Sequence, residues 1–186
     1  PQPFMKSILK KIFKSQKELS NKDIIFIDLQ KNLEIKKIFQ SISNYSDESE
    51  LRFVGGCVRK ILNNEEIDDI DLATNIDPEN ISKALKNNNI DFYETGIEHG
   101  TITAIINGQK FEITSLRKDI LTDGRHAKVQ FSKNWKDDAS RRDFTINAIY
   151  ADIDGNLFDP FDGRQDIKDG KVIFIGDAGI RIKEDY

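Results

Sequence analysis

The chain has 186 residues, 38% of them hydrophobic and 32% charged, with a formal net charge of −4. That is enough for one domain plus a small appendage with a well-solvated surface. No apolar run approaches the roughly 18 to 20 residues that span a bilayer, so no transmembrane helix is expected. The single cysteine, Cys57, excludes an internal disulfide and a multi-cysteine zinc site and fits a reducing, cytoplasmic compartment.

In chain order, Pro1 to Phe4 precede Met5 and read as additions to the natural chain. Up to Lys22, the lysines Lys6, Lys10, Lys11, Lys14, Lys17 and Lys22 accompany Ile8, Leu9, Ile12 and Phe13 near helical spacing. Residues 1–22 are therefore expected to form a basic leader helix. It lacks the arginines of a transit peptide and the apolar core of a signal peptide. A solvated amphipathic helix is the simpler reading; a targeting or membrane-surface role is the alternative.

Leu33 to Ser43 repeats the helical pattern, and Asn44 to Glu50 (NYSDESE) is turn-like. Leu51 to Val54 reads as a strand running into Gly55-Gly56, with a helix turn from Val58 to Leu62 behind it. Ile67 to Leu72 (IDDIDL) alternates apolar and acidic residues, the period of a half-buried strand. Asp77-Pro78 opens a helix continuing through Glu79 to Lys86. Strands at Thr101 to Ile106 and Lys110 to Thr114 flank Asn107-Gly108, which suits a type I′ turn with positive φ at both central residues. Lys118 to Lys136 is polar and poorly periodic and is predicted as a loop, followed by a helix from Asp137 to Ala148 with Asp137 or Asp138 as N-cap. A strand pair around Asp154-Gly155 and a last strand, Val172 to Ile175, complete an α+β chain: a short mixed, largely antiparallel sheet flanked by helices.

The candidate chemistry starts at Asp69 and Asp71, which period 2 places on one face of a strand with Ile70 behind them in the core. Hard divalent cations take such oxygen ligands and complete their shells with substrate phosphates. Two of them about 3.5 to 4 Å apart can activate an attacking hydroxyl and neutralise a leaving group. An Asp-x-Asp pair alone also occurs on ordinary solvated strands. Gly55-Gly56 supplies the context, because glycines between a strand and a helix let backbone N–H groups approach phosphates. Arg59, one turn on, can bind the same anion. Arg141, Arg142 and Asp143 combine cations for phosphate with an acceptor for a hydroxyl, or else form a surface ion-pair cluster. Glu112, opposite Phe111 and Ile113 on its strand, is either a third carboxylate or a plain exposed glutamate. Asn147 fits either the site or the fold. His99 and His126 have no partners at metal-ligand spacing.

RFVGGCVRK (Arg52 to Lys60), DDIDLAT (Asp68 to Thr74) and RRDFTINAIY (Arg141 to Tyr150) resemble the class II CCA-adding enzymes and bacterial poly(A) polymerases. Those families belong to the DNA polymerase beta nucleotidyltransferase superfamily. The resemblance runs from about Leu33 to the end. It implies a polymerase-beta-like catalytic head that adds CMP and AMP from CTP and ATP to a tRNA 3′ end. It implies two Mg²⁺ ions on Asp69 and Asp71, nucleotide contacts from Gly55, Gly56, Arg59 and Arg142, and an Asp143 that favours a ribose 2′-hydroxyl. LRKDILTDGRHAKVQF (Leu116 to Phe131), with Asp123, Arg125 and His126, is similar to the flexible loop that helps the family switch from C to A addition. DPFDG (Asp159 to Gly163) resembles the connection from head to neck, or is a plain turn.

The expected domains are therefore a leader over 1–22, the head over 23–160, and a connector with the start of a helical neck over 161–186. Two departures stand out. Lys60 occupies the place of the family's usual aspartate, so the charge beside Arg59 is reversed. The family's base-templating motif and most of its tRNA-gripping helices would lie beyond residue 186, in a missing C-terminal half or a second chain. That would account for the acidic balance of an RNA enzyme. Two alternatives remain: a poly(A) or A-only polymerase with the same head, and a degenerate, non-catalytic nucleotide-binding module.

Overall fold

The computed structural model describes residues 21–122 and 126–176. Most of the expected leader and the end of the chain lie outside those residues. Helix α1 (Asn21–Lys31) leads into α2 (Leu33–Ser43), whose start is set by Asn32: its side chain accepts from the Ile35 N–H. Next come β1 (Leu51–Val54), α3 (Gly56–Leu62), β2 (Asp71–Thr74) and α4 (Pro78–Asn87), the last capped by the Asp77 side chain with Pro78 in its first turn. Three strands follow: β3 (Asp91–Gly96), β4 (Thr101–Ile106) and β5 (Gln109–Ser115). Asn107 and Gly108 have φ of 50° and 78°, as the type I′ turn between β4 and β5 requires. The remaining elements are β6 (Arg117–Thr122), β7 (His126–Phe131), α5 (Trp135–Ser140), β8 (Tyr150–Ala151), β9 (Leu157–Phe158) and α6 (Gly163–Asp169).

Seven strands form one mixed sheet in the order β3-β4-β5-β2-β1-β8-β9; every pair is antiparallel except β2 with β5. Period 2 gives the sheet two different faces. Phe53, Leu72, Ile102, Ala104, Phe111 and Ile113 point to one side, where Ile35, Ile38 and Ile42 of α2, Val58 and Ile61 of α3 and Ile81 and Leu85 of α4 cover them. Each such fully buried side chain contributes roughly 1.5 to 3 kcal/mol. The opposite side carries Asp71, Glu112, Thr101, Thr103 and Thr114, closed at one edge by a smaller cluster of Val54, Ala73, Leu116, Ala139, Ala148 and Tyr150. Helices on one face thus leave the other free for chemistry.

Four expectations are corrected. The strand around IDDIDL is shorter than its pattern: β2 begins at Asp71, and Asp69 is in the exposed run before it. The stretch 118–136 is mostly a two-stranded antiparallel hairpin, paired from Arg117↔Phe131 to Thr122↔His126. Among the described side chains of its strands (117–120 and 129–131) none is buried, so that stretch shows no apolar period. The predicted helix over 137–148 is α5 alone, capped by Asn134, whose side chain accepts from the Lys136 and Asp137 N–H groups. After Ser140 the chain leaves the helix because residues 143–145 bond elsewhere: Ile175 N–H donates to Asp143 O at 2.8 Å and Thr145 N–H to Ile173 O at 3.0 Å. The expected strand Val172 to Ile175 is therefore only a single antiparallel bridge, Phe144 to Phe174.

Candidate active site

On the open face, parallel pairing sets Asp71 directly beside Glu112. Burial, and then the charge of Asp69, pushes the Asp71 carboxyl above the usual carboxylate range. Glu112 rises for similar reasons: partial desolvation first, then the charge of Asp71 and a hydrogen bond with it. Acidic groups raised by one another mark concentrated negative charge that a cation would relieve. Asp69 contributes its field to both from the edge of this group. Among the described residues no three His, Cys, Asp or Glu side chains form a ready-made cage. An open carboxylate pair is what Mg²⁺ tolerates, since it keeps waters and recruits substrate phosphates.

These carboxylates share a cavity of about 500 Å³ with Gly55, Thr101, Thr114, Arg117, Arg141 and Arg142. Two carboxylates and three arginines thus line one space, a match for a metal-bound polyphosphate. Gly55, at φ 71°, turns the chain from β1 into α3, and a Cβ on it would stand 4.0 Å from Arg142 Nη1. A groove of about 550 Å³ between α1, α2 and the β8–β9 turn also carries both charges, Lys31 and Lys36 with Glu50, Asp152 and Asp154, but among the described residues neither an arginine nor a glycine lines it.

Arg59, Asn147 and Asp143 lie outside that cavity wall and form their own chain. Arg59 Nη1 donates to Asn147 Oδ1 at 2.8 Å, and Asn147 Nδ2 donates to Asp143 Oδ1 at 3.3 Å. Asn147 thus links the glycine helix to the Arg-Arg-Asp segment through the short 3₁₀ turn Thr145–Asn147. Gly56 opens α3, and a Cβ there would stand 3.6 Å from Arg59 Nη2. Lys60 does not face this group: its Nζ donates to Asp68 Oδ2 at 2.7 Å, which raises its pKa. Asp123 and Arg125 lie outside the described residues; His126 opens β7.

Sequence reasoning gave Asp138 only a capping role, yet it is the most connected carboxylate here. Only 1% of it is exposed, and it accepts from Arg141, Arg142 and Tyr150. Burial alone would raise its pKa, but Arg142, Arg141 and the Tyr150 hydroxyl hold it below the usual range. Its i+3 and i+4 spacing to two arginines was the available signal. Arg117 falls in the segment read as a flexible loop. Its Nη1 donates to His99 O at 3.3 Å while its Nε is buried with no partner among the described residues, and burial and then Arg141 lower its pKa.

A mixed sheet bearing paired carboxylates, a glycine turn and clustered arginines is the frame of a nucleotidyltransferase head. Residues 51–173 match the family model described as the poly A polymerase head domain, and the chain belongs to that family. It is 48% identical over 138 residues to the mitochondrial CCA tRNA nucleotidyltransferase 1 of Homo sapiens, covering 74% of this chain and 32% of that protein. It is 44% identical over 138 residues to the CCA-adding enzyme of Leuconostoc citreum, covering 73% and 33%. The crystal structure of the Bacillus stearothermophilus CCA-adding enzyme in complex with CTP superposes with a TM-score of 0.69 at 33% identity, over 80% of this chain and 34% of that one. A tRNA nucleotidyltransferase complexed with a primer tRNA and an incoming ATP analog superposes with a TM-score of 0.59 at 26% identity, over 75% and 39%. The chain therefore spans about a third of the length of these curated relatives.

Proposed function

We propose that this chain is the catalytic head of a CCA-adding tRNA nucleotidyltransferase, transferring CMP and AMP from CTP and ATP to a tRNA 3′ end. The observation that carries it is that Asp71 and Glu112 line one cavity together with Arg141 and Arg142. Relatives named for CCA addition, and likeness to a structure holding CTP, point the same way. Asp69 and Asp71 would hold two Mg²⁺ ions with Glu112 beside them, and their mutual repulsion fits that donor set. Bound there, the ions supply charge neutralisation on the triphosphate and acidify the attacking 3′-hydroxyl.

The chain's own residues do the rest. Gly55 and Gly56 let the triphosphate approach the backbone at the start of α3. Arg142 and Arg59 spread charge-assisted hydrogen bonds over its oxygens. Asp143, held by Asn147, offers an acceptor to a ribose hydroxyl. The segment Leu116 to Phe131, with Asp123, Arg125 and His126, is the one for switching between C and A. The matched region is about a third of the relatives' length, so base choice and most of the tRNA grip are assigned to parts outside it, whether a C-terminal half or a second chain. The single thiol suits a reducing compartment such as the cytoplasm, although the vertebrate relatives are named as mitochondrial. Among the described residues no helix is long and apolar enough to cross a membrane.

A poly(A) or A-only polymerase is the second reading, favoured by the name of the matching family model. A degenerate module rests on Lys60 alone; Lys60 is paired with Asp68, and Arg59, which it was to disturb, is held by Asn147. The test is incorporation of labelled CTP and ATP into tRNA lacking its 3′ terminus, with Mg²⁺, by the full-length protein and its Asp71→Ala variant. CTP then ATP incorporation, abolished in the variant, is expected; ATP alone would replace the first reading by the second.

A further inference from the structure

Asp138 lies in α5, one helical turn before Arg141 and Arg142. Its Oδ1 accepts from Arg141 Nε at 3.2 Å and Nη2 at 2.9 Å, and from the backbone N–H of Arg117, the first residue of β6, at 3.2 Å. Its Oδ2 accepts from Arg142 Nε at 3.3 Å and Nη2 at 3.1 Å, and from the Tyr150 hydroxyl at 2.5 Å. The Tyr150 oxygen in turn accepts from Arg142 Nε at 3.1 Å.

A buried carboxylate repays its desolvation only when its acceptor sites are filled, and these are. One carboxylate serves two guanidiniums, so the cluster keeps a positive charge on the cavity side. Arg142 is gripped along its Nε–Nη2 edge, and Nη1 is the end that reaches the Gly55 turn. The same carboxylate ties the root of the β6–β7 hairpin to that arginine.

We propose that Asp138 is a positioning residue for nucleotide binding: it aims Arg142 and Arg141 at the incoming triphosphate and locks that aim to the root of the β6–β7 hairpin. The proposal rests on reading Arg142 as a triphosphate contact. Asp138→Asn keeps the size and one acceptor but replaces the other oxygen with a donor group that repels Arg142 and Tyr150.

Mg²⁺–ATP is titrated against the chain by ligand-observed NMR, in wild type, Asp138→Asn, Arg142→Ala and the double variant, with near-UV circular dichroism as the folding control. Freeing one charge-assisted contact should weaken binding about tenfold in Asp138→Asn and similarly in Arg142→Ala. The double variant should fall well short of the two single effects added together, because both changes remove the Arg142 contact and only the share carried by Arg141 is left to lose. A folded Asp138→Asn with wild-type affinity, or an effect that adds in full to that of Arg142→Ala, overturns the proposal. If Arg142→Ala binds like wild type, the reading of Arg142 itself fails and the proposal with it. Should Asp138→Asn not fold, Tyr150→Phe decides. It leaves the carboxylate but removes one tether of Arg142, so affinity should fall roughly two- to threefold; no change overturns the proposal.

Discussion

Gly163 opens α6 against the turn that carries Asn147, and replacing it with alanine perturbs both. A Cβ there would stand 2.2 Å from Thr145 O, 2.8 Å from the Thr145 carbonyl carbon and 3.1 Å from Ile149 Cδ1. Carbon and oxygen rest comfortably at about 3.3 Å, so the first gap is short by roughly 1 Å. The obstacle is backbone, which no rotamer change can clear. Thr145 is also tied to the same helix, its hydroxyl donating to Asp166 Oδ2 at 2.6 Å. Overpacking by a methyl group costs typically 1 to 3 kcal/mol, and this rigid site belongs at the upper end, about 3 kcal/mol. For a chain of this size each kcal/mol moves Tm by roughly 2 to 4 °C, so Gly163→Ala should lose roughly 6 to 12 °C. Thermal unfolding by far-UV circular dichroism reads the loss. A parallel Mg²⁺–ATP titration should show weaker binding, because the displaced turn holds Asn147 against Arg59. A Tm within about 2 °C of wild type would refute the reasoning.

The carboxylate pair makes a pH prediction. Folded pKa values raised at Asp71 and Glu112 mean that the folded state holds protons more readily than the unfolded chain. Their stabilisation is therefore full below about pH 4 and is lost as pH rises through the raised values. Without divalent ions, Asp71→Asn should melt higher than wild type at pH 7 and lose that advantage towards pH 4. Added Mg²⁺ should stabilise wild type and leave the variant unmoved, and a variant less stable than wild type at pH 7 would contradict this. Cys57 is 3% exposed and its thiol is pushed up to about 12, by burial and then by Asp71. A thiol reagent should label it roughly a hundredfold or more slower in the native protein than in denaturant; fast native labelling would show that α3 does not pack as described.

Much of the frame was legible in local pattern. Helix α2, strand β1, the start of α4 and the Asn107-Gly108 hairpin follow from side-chain period, an Asx cap and paired positive φ, all properties of a few neighbouring residues. So was the aim of Glu112, since Phe111 and Ile113 on either side had to be buried. The β6–β7 hairpin was not legible, because pairing with no buried side chain among those described leaves no apolar rhythm to read. Nor was the early end of α5, which is set by bonds from Ile173 and Ile175, some thirty residues away.

The site divides in the same way. Sequence alone determined which residue types suited to metal and phosphate chemistry are present, because Asp69 and Asp71, the glycine pair and Arg-Arg-Asp are local motifs. Tertiary structure decided what each one touches. Parallel pairing of β2 with β5 is what sets Asp71 beside Glu112 and concentrates their charge. A buried Asp138 sorts the arginines, and Asn147 meets Arg59 across 88 residues of sequence and joins it to Asp143. Such contacts depend on which faces meet when the sheet closes, and no period within one strand or helix encodes that.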